Sequence, residues 1–443
     1  MKILILTIGG SDTPLVKSIE SAHADHVYFV CSDGSNGQAS SVSMVTGKGN
    51  VCGGNSRPNI MIQSGTNPEQ TTILEVDPDE PADTFNVVLP VLKKHRNDQC
   101  IVDITGGTKS MAAGLYSAGA EFRDINFTIV TGYRSDLHPV TGTHSYATLL
   151  KKNVVFGKRR MIIVQSLIRK QDYESGIPLI ENLFRTEGFG SDKASSSKLN
   201  QLYYFCKAFS AWDNFDYAES RELLESYIEM ISSEQKKVIA DYKSLAKRLA
   251  HAVDLFYDPS TRRKYRKGRQ NMYLIIYDLI RNAKRKAAKG HFDDAVARLY
   301  RATEMYAQVT LMQFNIDTSD VDIARVAQLG ADKPVIDELK RKASENGGKV
   351  QIPLQAAYQL LADLHHPIGN LWKPEKDKIT DSLTIRNYSL LAHGIRHVST
   401  DDYEKVSRII IGFLQKCDDQ NKELAKSKIK LENYMDLPNQ IIL

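Results

Sequence analysis

Residues 1–150 alternate short, β-rich apolar runs with helical stretches, and the rest of the chain turns to helical periodicity. Ile3 to Ile8, His26 to Val30, Thr71 to Val76, Cys100 to Ile104 and Phe127 to Thr131 are near-continuous apolar runs, the pattern of strands covered on both faces. Between them, Pro14 to Ala22 and Ala82 to Lys94 read as helices, the first with Thr13 as N-cap and Pro14 at the first helical position. This alternation predicts a parallel, Rossmann-like sheet. The stretch from Asp33 to Pro68, rich in Gly, Ser and Asn and containing Gly53-Gly54-Asn55, reads as a weak helix or a mobile loop over the sheet.

From Val154 onward the strand signal nearly disappears, which places a boundary between Lys151 and Lys158. The expected organisation is α/β followed by all-α: residues 1–153 form the sheet domain, 154–270 a helical linker domain and 271–443 a C-terminal helical domain. Phe215-Asp-Tyr-Ala218 and Phe292-Asp-Asp-Ala295 echo one another, each following a turn-like segment and opening an amphipathic helix. Two copies fall short of a solenoid. A basic run (Arg262, Arg263, Lys264, Arg266, Lys267, Arg269) precedes the second echo, and Lys284, Arg285, Lys286 and Lys289 follow it. Such a run is either a solvated face or an RNA contact.

With 443 residues the chain calls for two or three domains, and 42% hydrophobic with 25% charged residues describes a folded, water-soluble protein. The net charge of +5 permits an anionic partner without requiring one. Five cysteines without a Cys-x-x-Cys pair argue against a disulfide framework or a zinc site and fit a reducing, cytoplasmic setting. The apolar start, Ile3 to Ile8, is too short for a membrane span and runs into Gly9-Gly10-Ser11-Asp12 instead of a cleavage site.

Ligands of parallel α/β sheets sit beyond the carboxyl ends of the strands. Two loops there are glycine-rich: Thr7-Ile-Gly9-Gly10-Ser11 after the first strand, and Thr105-Gly106-Gly107-Thr108-Lys109 after the strand Cys100 to Ile104. Glycine lets backbone approach a ligand, and the N–H groups of a helix start favour phosphate. Hydroxyls on Ser11, Thr105 and Thr108 and the charge of Lys109 complete a cleft for a polyanion or nucleotide. The Gly-x-Gly-x-x-Gly spacing is absent, and Thr-Gly-Gly-Thr-Lys-Ser lacks the first glycine of an ATP-binding phosphate loop. On spacing alone, tight strand-to-helix turns explain both loops as well as ligand binding does.

The segment Asp103-Ile-Thr-Gly-Gly-Thr-Lys-Ser-Met-Ala-Ala-Gly-Leu115 resembles the Asp-x-Thr-Gly-Gly-Thr-Lys-x-Met signature of CARF domains, the Rossmann-like sensors of CRISPR-associated proteins, and Thr7 to Pro14 resembles their first ligand loop. The resemblance implies a homodimer that binds one cyclic oligoadenylate across its two-fold axis, a symmetry that suits a ring ligand. It implies a cleft drawn from Thr7, Gly9, Gly10, Ser11, Thr105, Gly106, Gly107, Thr108 and Lys109, with Asp103 ordering the loop.

Near the C-terminus, a helix expected from about Lys378 contains Arg386-Asn-Tyr-Ser-Leu-Leu-Ala-His393, with Gly394 placed to end it in a left-handed conformation. At ~100° per residue, Arg386 and His393 share a face with Ile379, Leu383 and Leu390. A salt-bridged Arg and a satisfied interfacial His would explain the pair structurally; a working pair would explain it functionally. Arg386-Asn387, five residues and His393 also resemble the Arg-x(4–6)-His motif of HEPN ribonucleases, and Phe292 to Glu304 resembles another helix of that fold.

That likeness implies a CARF and HEPN ribonuclease of type III CRISPR defence that cleaves single-stranded RNA without metal or cofactor, with cyclic oligoadenylate as activator. The catalytic residues implied are Arg386 on the scissile phosphate, Asn387 orienting it and His393 as acid, base or positioning group. Two helical turns, roughly 10 Å, separate Arg386 from His393, so a dimer apposing two such helices would build a composite site. His365-His366 point apart and have no carboxylate cluster, so no metal is assigned. A non-enzymatic nucleotide-sensing regulator and an activator-independent HEPN toxin are the competing expectations.

Overall fold

The computed structural model describes residues 1–37, 39–49, 57–122, 124–131, 146–149, 152–185, 193–258, 260, 268–389, 394–421, 424 and 430–442. Packing divides the chain into two compact units, residues 1–162 with 182–196, and 163–181 with 197–443.

The first unit is built on the strands β1 (Lys2–Thr7), β2 (His26–Ser32), β3 (Thr71–Val76), β4 (Gln99–Asp103), β5 (Asn126–Thr131) and β6 (Tyr146–Leu149), in the order β3-β2-β1-β4-β5-β6. The five strands expected from their apolar runs all form, and they are mutually parallel. The sixth, unanticipated, pairs antiparallel with β5 at the edge. The central strand explains the unbroken apolar runs: Ile3 and Ile5 pack on one face with Val88, Leu92, Met111 and Leu115, while Leu4 and Leu6 pack on the other with Leu15, Ile19, Met44 and Ile60. Successive side chains of a strand alternate faces, so a strand covered twice needs apolar residues at every position.

Helices α1 (Thr13–Ala22), α4 (Pro81–Lys94) and α5 (Lys109–Ala120) cover those faces. The N-cap of α1 is Asp12, not Thr13: the Asp12 carboxylate accepts from the Thr13 N–H at 2.8 Å. The Gly/Ser/Asn-rich stretch holds two short helices, α2 (Val42–Val45) and α3 (Ile60–Ser64). Gly53-Gly54-Asn55 lies outside the described residues.

The second unit is helical. Its aromatic core joins Tyr173, Phe205, Phe209, Trp212 and Tyr242 in edge-to-face and tilted contacts, and Tyr358 stacks on Trp372 at 4.5 Å. Two buried carboxylates are held by aromatic donors. Asp278 accepts from Trp212 Nε1 (3.1 Å) and Tyr217 OH (2.8 Å), and Asp418 accepts from Tyr277 OH (2.8 Å) and Tyr306 OH (2.9 Å). Burial pushes both carboxyls above the usual range, against the pull of these donors.

The sequence echo has a backbone counterpart. At each site a helix ends in a left-handed residue, Phe215 (φ 65°) or Gly290 (φ 81°). The next N–H then bonds five residues back, Asp216 to Ala211 (2.9 Å) and His291 to Lys286 (3.0 Å), before a new helix opens. The same ending recurs at Gln171 (φ 53°), Asn315 (φ 62°) and His365 (φ 57°), where Asp172, Ile316 and His366 bond the carbonyls of Leu167 (2.9 Å), Leu311 (3.1 Å) and Leu361 (2.9 Å), so the echo is a common way to close one helix and open the next.

Of the basic residues Lys284, Arg285, Lys286 and Lys289, the last three are paired with carboxylates within the unit. Arg285, almost fully buried, donates Nε to Asp213 at 2.7 Å; Lys286 lies 3.9 Å from Asp213 and Lys289 3.2 Å from Asp172. Arg269 is buried and donates to Asn315 at 3.0 Å. Arg262, Arg263, Lys264, Arg266 and Lys267 lie outside the described residues. Among the described residues no helix is long and apolar enough to cross a membrane.

Two glycines of the second unit separate packing from propensity. A Cβ at Gly369 would fall 2.1 Å from the Ala362 backbone nitrogen, whereas one at Gly412 meets nothing within 4 Å. Gly369→Ala is therefore expected to destabilise the protein by on the order of 1–3 kcal/mol. Gly412→Ala, inside the helix Thr400–Gln420, is expected to stabilise it by up to about 1 kcal/mol. Thermal denaturation of the two variants checks both signs.

Candidate functional site

In the first unit β1 and β4 are neighbours at the centre of the sheet, and strand order runs outward from them in opposite directions. This is the switch point at which parallel α/β sheets bind ligands. The loops leaving the two strands meet there through backbone. A Cβ on Gly9 would lie 2.7 Å from Gly107 N, one on Gly106 would lie 2.4 Å from the Thr7 carbonyl oxygen, and Gly107 adopts φ +77° against Thr7. Thr7, fully buried, donates Oγ1 to the Gly106 carbonyl at 2.6 Å. The glycines are thus required by loop-to-loop contact.

Asp103 holds this arrangement from below. It is fully buried and accepts from Ser18 Oγ (2.7 Å), Thr128 Oγ1 (2.7 Å) and the Thr105 N–H (2.9 Å). Thr105 Oγ1 accepts from the Val130 N–H at 2.8 Å. Thr108 caps α5, accepting from the Met111 N–H at 3.1 Å, and donates to the Pro78 carbonyl. Gly10, Ser11 and Lys109 are exposed on this frame, at the starts of α1 and α5. The nine residues singled out by sequence therefore divide into those whose groups brace the loops and those that face solvent.

Arg57 was missed. Its guanidinium donates to Thr13 Oγ1 at 2.7 Å and lies 3.5 Å from the Asp12 carboxylate, adding a half-exposed cation beside Ser11. No periodicity in the Gly/Ser/Asn-rich stretch flags it. Two helix N-termini, Lys109 and Arg57 together suit an anion.

The C-terminal constellation differs from its expected form. The helix runs Pro367–Asn387, beginning a full three turns before Lys378 and ending six residues before His393. Its N-cap is His366, whose Nδ1 accepts from the Ile368 N–H at 3.3 Å, and burial holds that imidazole below its ordinary pKa and so neutral enough to accept. Tyr388 is the C-cap. Leu390, Leu391, Ala392 and His393 lie outside the described residues.

The helix stops because other hydrogen bonds replace its own. The Ser389 N–H bonds the Arg386 carbonyl (3.0 Å), the Gly394 N–H bonds the Ser389 carbonyl (3.2 Å), and the Arg396 N–H bonds the Tyr388 carbonyl (2.9 Å). Gly394 is not in the left-handed region; it is glycine because a Cβ would lie 2.0 Å from the Tyr388 carbonyl oxygen. Arg396 in turn reaches Asp402 at 3.3 Å, which with Ser399 forms the capping box of the helix Thr400–Gln420. Burial opposes the charge of Asp402, yet the Ser399 N–H and hydroxyl together with Arg396 hold its carboxyl below the usual range. The helix that carries Arg386 thus ends at Asn387, and His393 lies outside the described residues.

Ile379 and Leu383 are buried, as their face predicts, and Arg386 emerges where that stripe ends. Its guanidinium carbon lies 4.7 Å from the centroid of Tyr300, on the helix Phe292–Gln313, and Nη1 donates to Asn387 Oδ1 at 3.3 Å. Among the described residues no carboxylate comes within ion-pair distance of Arg386; nearby Glu304 pairs with Arg301 at 2.6 Å instead. Burial, then Glu304, push the Tyr300 phenol above its ordinary pKa against the opposing charge of Arg386, so the ring stays neutral. A stacked cation with donors left over is equipped to hold an anion.

Residues 264–417 match the family described as the Csm6 HEPN domain. The matched residues span the helices that carry Tyr300 and Arg386, and the parallel sheet precedes them in the sequence. No curated protein sequence matches the chain. Among solved structures, Enterococcus italicus Csm6 bound to cyclic hexa-2'-fluoro-hexa-dAMP aligns with 13% identity over 100% of this chain and 99% of its own, at a TM-score of 0.49. Can2 from Sulfobacillus thermosulfidooxidans, in complex with cyclic tetra-adenylate, aligns with 13% identity over 51% of this chain and 65% of its own, at a TM-score of 0.23.

The bracing role of Asp103 is testable. Asp103→Ala strands one buried and two part-buried donors and is expected to cost about 3 kcal/mol, whereas in Asp103→Asn the Ser18 and Thr128 hydroxyls can rotate to accept and the loss is smaller. Chemical denaturation of both variants should give that order; equal stability of wild type and Asp103→Ala would remove Asp103 from the frame.

Proposed function

We propose that this chain is a metal-independent endoribonuclease that cleaves single-stranded RNA and is switched on by a cyclic oligoadenylate bound in the N-terminal cleft. It would act as a cytoplasmic homodimer in type III CRISPR antiviral defence. The observation that carries the reading is Arg386: a guanidinium stacked on Tyr300, facing no carboxylate among the described residues, at a helix end within the HEPN match.

RNA carries its own nucleophile. Attack of the 2′-oxygen on the adjacent phosphorus expels the 5′-oxygen, leaving a 2′,3′-cyclic phosphate and a 5′-hydroxyl. Arg386 neutralises the crowded phosphate, Asn387 orients it by hydrogen bonding, and His393 assists proton transfer or positions the reacting groups. Apposed HEPN domains of two copies would combine these groups into a composite site.

Activation belongs to the switch point of the sheet. Gly10, Ser11 and Lys109 are available to touch a ring of phosphates, with Arg57 beside them, on a frame braced by Thr7, Gly9, Thr105, Gly106, Gly107 and Thr108. A two-fold dimer offers such a ring two equivalent clefts.

The test is single-stranded RNA incubated with the protein, with and without cyclic tetra- and hexaadenylate. Cleavage is expected only with an activator, unaffected by EDTA, and lowered roughly 10²–10³-fold by Arg386→Ala. DNA of the same sequence should survive. Cleavage without activator would favour a constitutive toxin, and no cleavage under any condition would favour a non-enzymatic regulator. Activity that vanishes with EDTA or persists in Arg386→Ala contradicts the mechanism.

A further inference from the structure

Beyond the Arg386, Asn387 and His393 set, the end of the helix Pro367–Asn387 carries an aromatic ring with no structural employment. Tyr388 is 59% exposed, although it follows directly on Arg386-Asn387 and its backbone is fixed on both sides. Its carbonyl accepts from the Arg396 N–H at 2.9 Å, and Gly394 rides on its backbone so closely that no side chain fits there. Among the described residues its side chain has neither a ring contact nor a hydrogen-bond partner. The backbone is held and the ring is presented.

Its surroundings have a definite chemistry. Ile395, 94% exposed, lies between Gly394 and Arg396, whose N–H groups bond the Ser389 and Tyr388 carbonyls. Arg386 and Arg396 add cationic groups, Arg396 partly balanced by Asp402 at 3.3 Å, and the exposed His397 adds an imidazole 3.9 Å from Asp293. A rigidly mounted aromatic face amid cations is the arrangement with which proteins hold single-stranded nucleic acid: bases stack on the ring and the backbone tracks the charges.

We propose that Tyr388 is the stacking platform for the nucleobase next to the scissile phosphate. Resting on the ribonuclease reading, this adds a substrate-positioning residue to it: Arg386 and Asn387 take the phosphate, and Tyr388 takes the neighbouring base. Stacking needs the ring and not the hydroxyl, so Phe or Trp serves at this position. Every base has a π face, so the platform favours unpaired RNA over duplex without imposing one sequence.

The experiment uses the full chain with a single-stranded RNA carrying 2-aminopurine beside the cleavage position, read by fluorescence quenching and by steady-state cleavage with activator. Tyr388→Ala is expected to raise KM about tenfold or more, to change kcat less, and to lose the quenching. Tyr388→Phe and Tyr388→Trp should keep both, which separates lost stacking from lost folding. Wild-type quenching and KM in Tyr388→Ala, or a loss in Tyr388→Phe as deep as in Tyr388→Ala, would overturn the platform. So would a smaller sedimenting mass for Tyr388→Ala, which would make the ring a contact between copies. A wild type that quenches without cleaving would overturn the ribonuclease reading and leave the platform standing; one that does neither would overturn both.

Discussion

The helix Pro367–Asn387 ends one residue after Arg386, and the character of the C-terminal site depends on that ending. Gly394 lies against the backbone of Tyr388, and the hydrogen bonds of Ser389, Gly394 and Arg396 take over from those of the helix. Arg386 thereby sits at a helix terminus instead of mid-helix, its guanidinium supported by Tyr300 from a second helix. A continued helix would have carried the same residues along one rod, with each functional group a fixed rise from the next. Arg396, bonded to the Tyr388 carbonyl, also ties this helix end to the Ser399 and Asp402 capping box.

The N-terminal unit uses the same device with different residues. Two loops approach so closely that only glycine fits at Gly9 and Gly106, and a buried carboxylate, Asp103, gathers three donors beneath them. A signature that reads as a phosphate cradle is, in its interior, a packing requirement. The groups left to meet a ligand are those at the rim, where two helices begin beside Lys109 and Arg57.

The sheet was legible in the sequence because a strand buried on both faces has to be apolar at every position, and five such runs name five strands. The edge strand Tyr146–Leu149 was not, since one short antiparallel strand follows no such rule. Asp12 displaced Thr13 as N-cap because the carboxylate also serves Gln63 and Arg57, partners remote in sequence. The same limit applied at Asn387: heptad-like spacing continued to His393, but hydrogen bonds from Gly394 and Arg396 ended the helix, and local periodicity carries no trace of them. Arg386 and Asn387 were found by motif, whereas Tyr300, Arg57 and Tyr388 matter through tertiary placement alone.

The central claim is that RNA is cut by its own 2′-hydroxyl with Arg386 on the phosphate. The most direct measurement is mass spectrometry of the product ends. The 5′ fragment should carry a 2′,3′-cyclic phosphate and the 3′ fragment a 5′-hydroxyl, with cleavage abolished by a single 2′-deoxy substitution at the cut position. Products bearing a 3′-hydroxyl and a 5′-phosphate, or undiminished cleavage at a 2′-deoxy position, would contradict it.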